Sequence, residues 1–189
     1  MVAADVFLNV NGGFRMRRFA VAGAAAVALL LVCSAYAAEP IEPVDAAKLL
    51  PFLPETIDGF VAEKPHGSSS TAMGFQLTEV SRIYHKGSED SDETVTVKLT
   101  DGAGNQFFTA AHASVAELKS ENAEGYEKGL KIDGFPAIER YTYESHDGSL
   151  TVFIGSRYLV EISVDGLDSK EMQAWWKKLD VRKLVALKD

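Results

Sequence analysis

One cysteine, Cys33, stands among 189 residues. That scarcity excludes an intrachain disulfide and any multi-cysteine metal site. Positive charge is also short, with 19 Lys+Arg against 27 Asp+Glu and a net charge of −8. A general polyanion binder is therefore excluded, nucleic acid included. There is no His-Glu-x-x-His zinc motif and no Gly-x-Ser-x-Gly nucleophile elbow. Gly102-Ala103-Gly104 lacks the further glycine and the lysine of a phosphate loop. What is there suits a packed globular chain, since 47% of residues are hydrophobic and 24% charged.

The N-terminal part reads as an export signal. Arg15, Arg17 and Arg18 form a basic region, and Phe19 to Cys33 is uncharged and mostly apolar. Ala35-Tyr36-Ala37 is a small-x-small cleavage site, so cleavage is expected between Ala37 and Ala38. Two other readings compete. Phe19 to Ala38 approaches the roughly 20 residues of a membrane span, but it is rich in Ala and Gly and no basic stop-transfer cluster follows. Cys33 could carry a lipid, but branched Val32 precedes it where a small residue is wanted. Residues 1–15 look foreign to the signal, which makes Met16 the expected initiator, 16–37 the signal peptide and 38–189 a single domain. Removing residues 1–37 takes away three Arg and one Asp. That leaves 16 Lys+Arg against 26 Asp+Glu, a net charge of −10 and no thiol. Thiol chemistry is thereby excluded for the exported form.

In the remaining chain, Asp45 caps a short helix that Pro51 and Pro54 end. Phe60 to Glu63 is a brief strand, Gly67 to Ser70 a flexible loop and Met73 to His85 a long strand. Thr94 to Thr100 alternates, with Val95, Val97 and Leu99 on one face. A helix is expected from Asn105 to about Ser120, with Phe108, Ala111, Val115 and Leu118 as its apolar face. Asp133-Gly134, Asp147-Gly148 and Gly155-Ser156 read as two-residue hairpin turns. They divide Tyr126 to Val164 into a four-stranded antiparallel meander, because turns this short cannot make parallel crossovers. Asp168 begins a capping box, and Met172, Trp175, Trp176 and Leu179 follow at helical spacing. One of the two indoles is expected inside and the other at the rim. Asp180 caps a last turn, where Val181, Leu184 and Val185 close the core. The fold class is α+β: one antiparallel sheet of about six or seven strands packed with helices.

This order of elements, with Lys131-Ile132-Asp133-Gly134-Phe135-Pro136-Ala137-Ile138-Glu139 and the closing Leu179-Asp180-Val181-Arg182-Lys183-Leu184, resembles a group of bacterial exported proteins. The architecture resembles that shared by the photosystem II accessory protein PsbP and the nuclear transport factor Mog1. The resemblance spans roughly residues 45–187 and implies a PsbP/Mog1-like fold. It carries over no functional residues.

Candidate chemistry is thin. His85 and His146 lie near strand ends, where either could approach the acidic turn holding Glu89 and Asp90, and these four are the candidate metal ligands. Asp101 to Asn105 looks like a calcium loop, but Ala103 and His112 stand where oxygen ligands belong. Ser68, Ser69 and Ser70 beside His66 offer a hydroxyl and a base, yet a Gly-Ser loop cannot hold a triad's geometry. Tyr141 and Tyr143 make a contact strip if exposed and core if covered, the second being favoured. Carboxylate pairs are numerous, but no pair has a reason to be buried or shifted in pKa. The expected protein is a periplasmic or secreted binding or accessory domain without catalysis or cofactor. It would meet a protein or small-ligand partner in the exported compartment and keep no membrane anchor after cleavage. A metal or small-ligand carrier is the alternative, and a hydrolase the less favoured one. Mass spectrometry of the exported protein should show Ala38 as its first residue and no thiol; a precursor peptide spanning Asn11 to Arg15 would refute Met16 as the start.

Overall fold

In the computed structural model, residues 41–72, 75–104, 115 and 117–187 are described. Asp45 caps helix α1 (Ala46–Leu49), its carboxylate accepting from the Ala47 amide at 2.7 Å. A 3-10 turn over Leu50–Phe52 follows, carrying Pro51 in its first turn. Nine strands come next: β1 (Phe60–Ala62), β2 (His66–Ala72), β3 (Phe75–Lys86), β4 (Thr94–Asp101), β5 (Lys119–Glu121), β6 (Gly125–Ile132), β7 (Phe135–Thr142), β8 (Asp147–Ile154) and β9 (Tyr158–Asp165). Helices α2 (Lys170–Trp176) and α3 (Val181–Ala186) close the chain. Every strand pair is antiparallel, in one sheet of order β1-β3-β4-β9-β8-β7-β6-β5. β2 shares the outer edge of β3 with β1, taking 75–81 while β1 takes Tyr84 to Lys86. None of the described helices is long and apolar enough to cross a membrane.

The sheet has two more strands than the sequence suggests, and each has its reason. Gly67 to Ser70 is not a flexible loop but the middle of β2. The twelve residues of β3 outrun the three of β1, so the rest of its edge would lack hydrogen-bond partners without β2. β5 has three exposed residues and no apolar pattern. It replaces the end of the expected 105–120 helix, whose other residues lie mostly outside the described ones.

Only one of the three expected two-residue turns exists. Asp133 and Gly134 take φ of 50° and 87° between the paired Ile132 and Phe135, as a type I′ hairpin demands. Asp147 and Gly148 instead belong to β8, and the turn before them runs from Tyr143 to His146. Gly148 serves close packing: a Cβ there would meet the Tyr141 ring at 2.8 Å and the Arg140 carbonyl at 2.8 Å. Ile154 pairs with Tyr158, so the last hairpin loop has three residues, Gly155 to Arg157.

The core lies on one face of the sheet. Val80 and Tyr84 of β3, Val95, Val97 and Leu99 of β4, and Val160, Ile162 and Val164 of β9 are all buried there. Helix α2 covers that face with Met172, Trp175 and Trp176. Both indoles are buried, contrary to the expected division between core and rim. Trp175 packs on Tyr84 and Phe60, with ring centroids 4.5 and 5.0 Å away. Trp176 donates its Nε1–H to Asp133 Oδ2 at 2.8 Å, which lets an indole at the margin of the core bury completely. Asp168 accepts from the Lys170 amide at 2.9 Å, and Asp180 accepts from the Lys183 amide to cap α3. Leu184 enters the core, but Val185 is 55% exposed, because the six-residue α3 turns it outward.

One buried ion pair ties the described start of the chain to the sheet. Asp101, fully buried, takes Arg157 Nε and Nη2 at 3.0–3.2 Å and the Val44 and Ala103 amides at 2.7 and 2.9 Å. Arg157 also donates to the Glu42 carbonyl at 3.2 Å. Removing one partner of such a pair strands the other groups in a dry site. Asp101→Ala should therefore cost about 3–5 kcal/mol in urea unfolding, with Asp101→Asn costing less. A loss below about 1 kcal/mol, the scale of an exposed pair, would contradict this account.

Candidate functional site

Strand β7 turns Ala137, Glu139 and Tyr141 to the buried face of the sheet. Glu139 thus sits at a position whose neighbours on that face are apolar or aromatic, and it is 2% exposed. An unpaired carboxylate cannot stay ionised there. Its partners come from β6 and α2. Cross-strand pairing puts Lys128 opposite Glu139 and Tyr126 opposite Tyr141. Lys128 Nζ lies 2.8 Å from Glu139 Oε1, the Tyr126 hydroxyl donates to the same oxygen at 2.5 Å, and Gln173 Nε2 donates to Oε2 at 2.7 Å. Ser169 lies on the other side of the Tyr126 hydroxyl, at the start of α2. Lys128 Nζ also stands 4.5 Å from the centroid of the Tyr126 ring, in cation–π contact.

The charge states follow. Burial pushes the Glu139 carboxyl up, but the hydrogen bonds from Lys128, Tyr126 and Gln173 outweigh it and hold the group below the ordinary range. Burial pulls Lys128 down, and Glu139 more than restores it, so the ammonium is kept. The Tyr126 phenol is raised, first by burial and then by Glu139, and stays protonated. An open cleft lies over this network. Tyr126, Lys128 and Glu139 line its strand side, and Ser169, Lys170, Gln173 and Lys177 its helix side. Glu139 is not among the candidates named from the sequence. Its signal there is that it stands in phase with Ala137 and Tyr141, at a position where alternation asks for an apolar side chain.

The residues singled out from the sequence are scattered. His85, on β3, directs Nδ1 to the Ser91 carbonyl at 3.0 Å and Nε2 to Glu63 Oε1 at 2.7 Å. These contacts, Glu63 first, raise its pKa and favour the imidazolium. Glu63, His85, Glu89 and Asp90 line a second open cleft. His146 is not with them: it lies in the turn before β8, with β4 and β9 between β3 and β8. The Tyr141 hydroxyl donates to the Leu167 carbonyl at 2.9 Å, so it accepts from His146 Nδ1–H at 2.9 Å. Among the described residues, no three His, Cys, Asp or Glu side chains are placed to share one ion. Ser69 is in β2, with Oγ 3.0 Å from Thr78 Oγ1. Tyr141 is core, at 8% exposure, and Tyr143 is exposed at 40%. Their rings, with Tyr126, form a triangle with centroids 6.0–6.1 Å apart. No protein-family model matches the chain, and no curated protein or solved structure is significantly similar to it.

A carboxylate held below its ordinary pKa stabilises the fold above the unfolded Glu value of about 4.3 and loses that contribution as pH falls through the folded value. Glu139→Gln should cost about 2 kcal/mol at pH 7, and the gap from the wild type should close between about pH 5 and pH 2. Chemical denaturation across that range is the check, and a gap that does not change with pH would rule out an ionised Glu139.

Proposed function

We propose that the protein is an exported, non-catalytic binding domain, acting on a small-ligand or protein partner outside the cytoplasm. The fold we assign to it is PsbP/Mog1-like. The observation that carries the reading is the state of Glu139. Lys128 and Tyr126 occupy Oε1 and Gln173 bonds Oε2, and these bonds hold the carboxyl below its ordinary range, which makes it a weak base. What the cleft offers is fixed donors and charge, which is the equipment of recognition.

The second reading is a metal carrier at His85. Its support is geometric: the Ser91 carbonyl holds Nδ1 and so orients the ring, as backbone carbonyls do for metal-binding histidines, while Nε2 faces the Glu63 carboxylate, where a metal ion would take the place of the Nε2 proton. One screen separates the readings. The exported protein is followed by thermal shift against small carboxylates, phosphates, amines and sugars, and against Zn²⁺, Cu²⁺ and Ca²⁺, beside a panel of hydrolase substrates. A ligand at 100 times its Kd should stabilise by about 2.7 kcal/mol without turnover. Turnover that vanishes in Lys128→Met or Glu139→Gln would overturn the binding reading. A shift given by Zn²⁺ or Cu²⁺ alone, and lost in His85→Ala, would favour the carrier.

A further inference from the structure

We propose that the cleft between β6, β7 and α2 is a site for a small multivalent anion bearing carboxylate or phosphate groups. This deepens the binding reading and rests on it. The chain as a whole repels such ligands, with its net charge of −8. The cleft does not. Among the described residues, Lys128, Lys170 and Lys177 line it and Glu139 is its one acid. Glu139 is matched one to one by Lys128 at 2.8 Å, which leaves an excess of two positive charges.

The lysines are arranged to converge. Gln173 points at Glu139, which fixes the face that α2 turns to the cleft. Lys170 and Lys177 stand three before and four after Gln173, so they share that face. They are exposed, and seven residues separate them by roughly 10 Å along the helix axis. Lys128 faces them from β6 and is the only one of the three already held in place, by Glu139 below and the Tyr126 ring beside it. An ammonium carries three donors, so the bond to Glu139 leaves Lys128 others to offer. Its side chain is 42% exposed, enough to reach a ligand. Glu139 is therefore a positioning residue: it pre-orients Lys128, so that binding spends less rotamer entropy on that side chain. Three ammonium groups spread over this width suit a ligand with two or more anionic groups better than a chloride ion.

The test is a ¹⁵N NMR titration of the purified protein with inorganic phosphate and, separately, with citrate, each at matched ionic strength against NaCl. Putrescine serves as the cationic control. Saturable shifts confined to the amides of Tyr126 to Lys128 and Ser169 to Lys177 are expected, weakened about tenfold or more in Lys170→Glu and Lys177→Glu. Both lysines are exposed and outside the Glu139 network, so the rest of the spectrum should be unchanged. The phosphate and citrate arms tell which anionic group is preferred. Shifts that stay linear with both anions, or that persist undiminished in the two charge reversals, would overturn the proposal. Saturation by putrescine alone would overturn it too, while leaving the binding reading intact. Turnover in the substrate panel would instead remove the binding reading.

Discussion

Eight residue pairs, from Thr94↔Asp165 to Asp101↔Tyr158, join β4 to β9 and with them the two halves of the sheet. The other strand pairs link neighbours in sequence or near neighbours, so their closure entropy is small. The β4–β9 ladder closes a span of more than fifty residues, and its entropic cost must be offset by what it brings together. What it brings together is a continuous apolar surface. Val95, Val97 and Leu99 meet Val160, Ile162 and Val164 across the ladder, all at 2% exposure or less. The ladder's far end is closed by the Asp101–Arg157 pair, which also captures the Val44 amide and the Glu42 carbonyl.

The candidate site is downstream of that ladder. β9 delivers the chain to Gly166 and Leu167, whose amides are taken by Asp147 and the His146 carbonyl. Those two bonds set where α2 starts. Trp175 in the core and Trp176 on the Asp133 turn then fix its rotation. With the helix so locked, Gln173 has little choice but to face β7. Register does the rest. Lys128 opposes Glu139 because Ile132 and Phe135 flank a turn of two residues, and a slip of one residue would turn Glu139 to the opposite face of the sheet.

β4 and β9 follow from alternation, because a half-buried strand writes its two faces directly into the sequence. β7 and β8 were instead divided off by glycine turns, of which only Asp133-Gly134 falls where it was expected. The Asp45 and Asp180 caps were readable for a similar local reason, since a side chain bonding an amide two or three residues on needs no tertiary partner. β2 and β5 were not readable. Their residues carry no apolar phase, and only the unpaired edges of β3 and β6 make them strands. Gly148 misled because glycine answers two different needs, positive φ in a turn and close approach to a ring, and only the position of Tyr141 decides between them. Glu139 was visible as a charged residue in phase with Ala137 and Tyr141. Its meaning was not, since the donors that make its burial tolerable come from β6 and from a helix 34 residues away.

The charge of the cleft raises a last physical question: whether its local excess can matter in a molecule that is acidic overall. The dense acidic stretch around Glu89 and Asp90 lies beyond β3, and β3 is four strand positions from β7. At about 4.8 Å per strand that is roughly 19 Å, more than two Debye lengths at physiological ionic strength. The acidic edge is therefore screened from a ligand in the cleft. Steering works at longer range, where the net charge of −8 opposes an approaching anion. Added salt then has two opposite effects, easing approach while weakening the contacts once made. The proposed site would owe its affinity to pre-positioned groups such as Lys128 rather than to the field of the whole protein. That is consistent with a carboxylate being buried beneath it, where holding one ammonium still repays the cost of desolvation.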